Sequence, residues 1–398
     1  MSAEPGQGSG DSGAKRDPGS VSAEPGQGSG DSGAKRDRGS VKATRRLHEL
    51  GQSLWLDNIT RTILDDGTLE RYIGELSVTG LTSNPTIFDH AISNGDAYDV
   101  QIGELAAGGA STEDVFFDLA ITDLRRAADL FAPIHERSDG VDGWVSLEVS
   151  PLLADDAAKT IEQARDLHSR AGRQNLLIKI PGTDAGHEAI SEAIFAGIPV
   201  NVTLLFSTEN YLGAAEAYLE GLERRVDAGL DPAVGSVASL FVSRWDKAVM
   251  DRVPDELHDR LGIAVASRTY RAYRELLDSD RWQRLANEGA RPQRLLWAST
   301  GTKDPDASDV LYVGALAAPF TVNTMPEKTL LAFGEHGEVS GTLAADGGDA
   351  DDVLAEFARA GVDASSLAAD LQRDGAKSFD DSWAELMDSI ATAAGAAS

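Results

Sequence analysis

Beyond residue 40 the chain alternates between short apolar, β-branched runs and longer stretches with hydrophobes three and four residues apart. The short runs read as strands over residues 53–56, 77–81, 143–149, 175–180, 200–205, 236–241, 293–298 and 320–323. Helical spacing covers 68–76, 155–171, 185–196, 208–228 and 243–253. Eight strands, each followed by helix-length sequence, predict an α/β fold: a single (β/α)8 TIM barrel. Extra helix over 86–136 and 243–290 makes it longer than the usual barrel. An open doubly wound sheet is the competing arrangement, but it gives no reason for nearly every strand to end in a polar side chain.

Those strand ends read Asp57-Asn58, Thr82-Ser83-Asn84-Pro85, Glu148, Lys179, Thr203, Ser239 with Phe241, Ser299-Thr300, and Thr324. In a barrel the C-terminal strand ends converge on one mouth, so residues distant in sequence become neighbours. Each has a plain structural alternative. Asp57 or Asn84 suits a helix cap, Glu148 and Lys179 suit a salt bridge, and Thr203 and Ser239 suit small polar positions of a barrel wall. Lys179 is the most informative, because it interrupts the apolar run Leu176-Leu177-Ile178-Lys179-Ile180. A buried ammonium is costly unless paired or neutralised. A neutral amine is a nucleophile that can condense with a carbonyl as a Schiff base. Snorkelling to solvent is the alternative for a lone strand-end lysine; the polar ends of the other strands favour chemistry.

Composition narrows the setting. The 398 residues carry a formal charge of −29 with no compensating basic stripe, which argues against a nucleic-acid partner. There is no cysteine, which excludes disulfides, thiolate metal sites and a cysteine nucleophile and fits a reducing, cytoplasmic setting. No apolar run approaches a membrane span, and no signal-peptide core opens the chain. The seven histidines show neither HxH nor HExxH spacing, so no metal is expected. Residues 2–17 recur unchanged at 22–37 in a stretch almost free of hydrophobes. Residues 1–40 are therefore expected to be a disordered tandem-repeat tail, with the barrel and its C-terminal helices over 41–398. The two Gly-x-Gly-x-x-Gly matches in that tail neither follow a strand nor open a helix, so they are compositional.

Several of these stretches together resemble the transaldolase family. Leu54-Trp-Leu-Asp57-Asn-Ile is similar to its first-strand motif, and Val78-Thr-Gly-Leu-Thr-Ser-Asn84-Pro85-Thr-Ile-Phe88 to its second-strand signature. Val145-Ser-Leu-Glu148-Val matches the glutamate strand and Leu177-Ile-Lys179-Ile-Pro the Schiff-base lysine strand. Val200-Asn-Val-Thr203-Leu-Leu-Phe206 and Ser239-Leu-Phe241-Val-Ser-Arg244 follow in order. The likeness runs from about residue 43 to the C-terminus. The long spacer helices and Trp297-Ala-Ser299-Thr-Gly-Thr-Lys303-Asp-Pro look like the longer bacterial branch of the family. Where the shorter branch has an arginine near Ser299, the local cation here is Lys303.

The resemblance implies transfer of a dihydroxyacetone unit between sugar phosphates in the non-oxidative pentose phosphate pathway, with no cofactor. Lys179 would form the imine and Asp57 would act as the base in C–C cleavage. Glu148 and Thr203 would hold a water for proton relay. Asn84 and Ser239 would bind hydroxyls of the retained three-carbon unit. Arg244 and Lys303, with Ser299, would receive a terminal phosphate. The related fructose 6-phosphate aldolases carry glutamine and tyrosine at the positions of Glu148 and Phe241, so these two residues favour transfer over release. A catalytically silent barrel serving as a scaffold is the non-enzymatic alternative, and nothing in the implied catalytic set is missing. The assembly is expected to be a monomer or a homodimer.

Overall fold

The structure, a computed structural model, describes residues 42–396. The repeat segment expected to be disordered lies outside the described residues. Eight parallel strands close into a barrel in sequence order. They are β1 (Ser53–Asp57), β2 (Val78–Thr82), β3 (Val145–Glu148), β4 (Leu176–Pro181), β5 (Val200–Leu205), β6 (Ser236–Phe241), β7 (Gln293–Ala298) and β8 (Val322–Met325). The TIM barrel expected from the patterning is the fold observed. The extra helices fall where the long spacers placed them. Pro85–Ser93, Asp99–Ala107 and Thr112–Arg137 stand between β2 and β3, and Ser243–Val249, Leu261–Asp278 and Asp280–Asn287 between β6 and β7.

The ends of β1, β2, β3, β4 and β8 move by one or two residues from those read in the sequence, three of them for identifiable reasons. Ser77, read as strand, instead caps the helix Thr68–Leu76 with a left-handed φ of 58°, so β2 starts one residue later. Phe320 also has a left-handed φ, 60°, and is 61% exposed, so it belongs to the turn before β8. β4 continues two residues past Lys179, which places the amine inside the sheet rather than at its end.

Alternation along the strands divides the core in two. Leu54, Leu56, Val78, Leu81, Ile178 and Ile180 face the surrounding helices, while Trp55, Leu177, Val237, Leu296 and Val322 fill the barrel. Trp55 is fully buried and donates from Nε1 to Asp142 Oδ1 at 2.9 Å. Its indole fits only because Gly80 faces it, since a Cβ there would come within 2.6 Å of Trp55 Nε1. Asp142 also accepts from Ser53 Oγ at 2.5 Å, and Arg294 Nη1 donates to that same Ser53 oxygen at 2.7 Å. This polar plug closes the N-terminal end of the barrel and leaves the C-terminal end for chemistry. Among the described residues no helix is long and apolar enough to cross a membrane.

Candidate active site

The C-terminal strand ends surround a cavity of about 360 Å³. Nine of the ten residues singled out from the sequence line it: Lys179, Asp57, Thr203, Asn84, Ser239, Phe241, Arg244, Ser299 and Lys303. The tenth, Glu148, does not line the cavity and meets Lys179 from within the barrel wall. Register explains the contact, since Glu148 of β3 pairs directly with Lys179 of β4 and both side chains turn inward.

Lys179 Nζ donates to Glu148 Oε2 and to the backbone oxygen of Ser83, both at 3.0 Å. The two side chains of this pair are 8% and 7% exposed. Snorkelling is thereby ruled out; the salt bridge is present, and its amine borders the cavity. Burial pushes the Glu148 carboxyl above its ordinary value, and the Lys179 ammonium pulls it part of the way back. A carboxyl held in that balance can both take up and return a proton.

The Thr82-Ser83-Asn84 turn serves three side chains at once. Thr82 Oγ1 donates to Asp57 Oδ1 at 2.9 Å and lies 2.8 Å from Thr324 Oγ1. The Thr82 hydrogen is committed to the carboxylate, so Thr324 is the donor in the second contact. Ser83 provides the carbonyl that holds Lys179. Asn84 Oδ1 caps the helix Pro85–Ser93 by accepting from Ile87 N at 3.1 Å, as its strand–helix position suggested. That bond fixes the side chain with its amide nitrogen still available to a ligand.

Thr203 lines the cavity, and its Oγ1 is buried with no hydrogen-bond partner among the described residues. Ser239 Oγ donates to Asn201 Oδ1 at 2.7 Å, and Asn201 Nδ2 donates in turn to Ser146 Oγ at 3.1 Å. The fully buried Asn201 therefore orients Ser239 from below.

Arg244 stacks over the Phe241 ring at 5.2 Å, and that ring packs on Phe206 at 5.2 Å. Burial draws the Arg244 guanidinium below its ordinary value. The Lys303 ammonium is lowered by desolvation and by repulsion from Lys247 and Arg244, against the pull of Asp57. Neither Arg244 nor Lys303 forms an ion pair among the described residues. Both cations thus stand at one mouth without an ion-pair partner among the described residues, on a chain of net charge −29. Beside them Ser299, at a left-handed φ of 55°, places its hydroxyl 2.9 Å from Ser243 Oγ.

Sequence reading did not assign roles to Thr82 and Thr324, though both were recognised as strand ends. It missed His90, Ser378, Phe379 and Ser382, which also line the cavity. The last three belong to the helix Ala364–Ala396, which reads only as an acidic, alanine-rich segment. A signal was present, because Leu371, Gly375, Phe379, Ser382 and Leu386 form one helical stripe. Nothing in that stripe said what it faces.

A (β/α)8 barrel with a buried, carboxylate-paired amine at its mouth and free cations at the rim defines an enzyme of the lysine-dependent aldolase class. Residues 54–390 match the model of the transaldolase/fructose-6-phosphate aldolase family. The chain belongs to that family. It is 47% identical over 351 residues to a transaldolase of Mycolicibacterium smegmatis, covering 86% of this chain and 95% of that protein. A transaldolase of Mycobacterium tuberculosis is 46% identical, with 86% and 94% of the two chains covered. One from Saccharopolyspora erythraea is 45% identical, with 86% and 95% covered.

Proposed function

We propose that this chain is the transaldolase that converts sedoheptulose 7-phosphate and glyceraldehyde 3-phosphate into erythrose 4-phosphate and fructose 6-phosphate. The observation that carries this reading is the Lys179 amine, buried against Glu148 at 3.0 Å on the wall of a mouth that also holds Asp57 and two unpaired cations.

The chemistry follows from the residue types. Lys179 Nζ adds to the ketose carbonyl, and loss of water from the carbinolamine gives a protonated imine that acts as electron sink. Glu148, with its raised carboxyl, and the unpartnered Thr203 hydroxyl are suited to move the protons of that step through a water. Asp57, oriented by Thr82, removes the proton from the hydroxyl one carbon beyond the bond that breaks. The C–C electron pair passes into the imine, the aldehyde fragment leaves, and a three-carbon enamine stays on Lys179. Attack of that enamine on the incoming aldehyde reverses the sequence. Asn84 and Ser239 are placed for hydroxyls, and Arg244 and Lys303 with Ser299 for the terminal phosphate.

Glu148 and Phe241 favour transfer over release of free dihydroxyacetone. The acidic, cysteine-free composition supports a cytoplasmic location, and a monomer or homodimer is the working assembly. Borohydride reduction in the presence of fructose 6-phosphate should attach a three-carbon adduct to the peptide containing Lys179. Lys179→Ala should abolish both adduct and transfer. An adduct that maps to another lysine would overturn the assignment.

A further inference from the structure

Asp57 sits where the barrel closes, and its two sides are held differently. Toward β2 it pairs in the ladder with Thr82. Toward β8 the ladder ends one residue earlier, at the Leu56–Met325 pair. Pro326 follows on that side and has no N–H with which to continue it. A side-chain bridge takes over at this point. Asn58, the residue after Asp57, donates from Nδ2 to Glu327 Oε2 at 3.3 Å. Tyr72 Oη, from the helix Thr68–Leu76, donates to the other oxygen, Oε1, at 2.6 Å. Burial and the Glu327 carboxylate push the Tyr72 phenol up to about 12, so it keeps its proton and stays a donor at neutral pH. The β8 end of this bridge is itself fixed, since Thr300 Oγ1 donates to the backbone oxygen of Thr324 at 2.9 Å. Glu327 opens the helix Glu327–His336 and so joins three segments: its own, the turn after β1 and the helix before β2.

We propose that Glu327 is a positioning residue for Asp57, holding the turn after β1 in the place from which that carboxylate reaches the substrate hydroxyl. The inference rests on the Schiff-base reading above. In that reading imine formation depends on Glu148, Lys179 and Thr203, which belong to β3, β4 and β5. Cleavage is the step that needs Asp57: the hydroxyl proton passes to its carboxylate, the C–C electron pair passes into the imine, and the aldehyde leaves. Proton transfer of this kind demands geometry, and a displacement of about 1 Å at a reacting group can cost a hundredfold in rate. Thr82 holds one oxygen of the Asp57 carboxylate, but a hydroxyl contact does not fix the backbone that carries it. Without the bridge, the end of β1 is free on the side where the ladder has stopped. Glu327 is outside the lining of the cavity, so it acts through Asp57 and not on substrate.

The measurement is the mass of the adduct that borohydride traps on Lys179 over a single turnover, with fructose 6-phosphate as donor and no acceptor aldehyde. Trapping before cleavage leaves a six-carbon adduct, and trapping after it a three-carbon one. Glu327→Ala should slow the passage from six carbons to three about tenfold, while total adduct appears within about twofold of the unmodified rate. Glu327→Gln can still accept from Asn58 and can donate its amide N–H to Tyr72 Oη, so it should recover most of that loss. Asn58→Ala breaks the bridge from its other end and should reproduce the Glu327→Ala pattern; it carries the test alone if Glu327→Ala does not fold. Equal slowing of both steps, cleavage unaltered in either folded alanine variant, or a Glu327→Gln variant as slow as Glu327→Ala would overturn the positioning role. If the unmodified protein forms no Lys179 adduct at all, the underlying reading fails instead.

Discussion

Lys179→Met separates the electrostatics of the site from its chemistry, because stability can be read without substrate. The Glu148–Lys179 pair is more than nine-tenths buried on both sides, and removing one partner of such a pair typically costs about 3–5 kcal/mol. The surviving carboxyl escapes part of that cost by taking up a proton. Burial raises Glu148, and Lys179 is the chief influence pulling it back, so in the variant the carboxyl rises further. The native state then keeps a proton that the unfolded chain has released above about pH 4.5. Stability must therefore fall as pH rises, by about 1.4 kcal/mol per unit, until the folded value is passed. Unfolding entropy of about 2.1 cal/mol/K per residue, over residues 42–396, makes each such unit worth about 2 °C in midpoint. Thermal unfolding followed by circular dichroism should find Lys179→Met close to wild type at pH 5 and about 4–7 °C lower at pH 8. Adding Glu148→Gln should remove the pH-dependent part. A loss of the same size at both pH values, or none at either, would refute the idea that the pair is an ionic one balanced against burial.

Two further outcomes follow from the same contacts. Asp57→Ala should still form the borohydride-trappable imine with fructose 6-phosphate but cleave it at least about a hundredfold more slowly, whereas Glu148→Gln should slow imine formation and hydrolysis alike. Single-turnover kinetics distinguish the two, and loss of the same step by the same factor in both variants contradicts the division of roles. Asp246 accepts from Leu261 N at 2.8 Å and from Tyr312 Oη at 2.9 Å, and burial raises its carboxyl to about 6. A raised carboxyl loses stability as pH climbs from 3.8 to about 6, so the midpoint of wild type should fall relative to Asp246→Asn by about 3 °C between pH 4 and pH 6. A constant gap over that window would mean that Asp246 is already ionised at pH 4.

The chemistry of the mouth was legible because a barrel makes it so. Its strands are short, parallel and buried on both faces, so a lysine, an aspartate or a glutamate in one of them stands out against β-branched neighbours. Closure in sequence order then brings every C-terminal strand end to one place, and the sequence alone determined nine of the residues around the cavity, the amine on its wall among them. Two details were lost to local backbone geometry. Ser77 and Phe320 carry residue types at home in a strand, but left-handed φ values place them in a helix cap and a turn.

What only the tertiary structure decided lies in contacts between segments far apart in the chain. Alignment of Glu148 with Lys179 depends on the β3–β4 register, which fixes whether the carboxylate meets the amine or misses it by one residue. The direction of the Thr324–Thr82–Asp57 hydrogen bonds depends on β1, β2 and β8 meeting where the barrel closes. Phe379 reaches Lys179 across 200 positions of sequence because Gln372 and Trp383 dock their helix on opposite sides of the mouth. Periodicity records which face of a helix is apolar, since that is a property of neighbouring residues. Which surface that face covers is set by long-range packing, and no local pattern carries it.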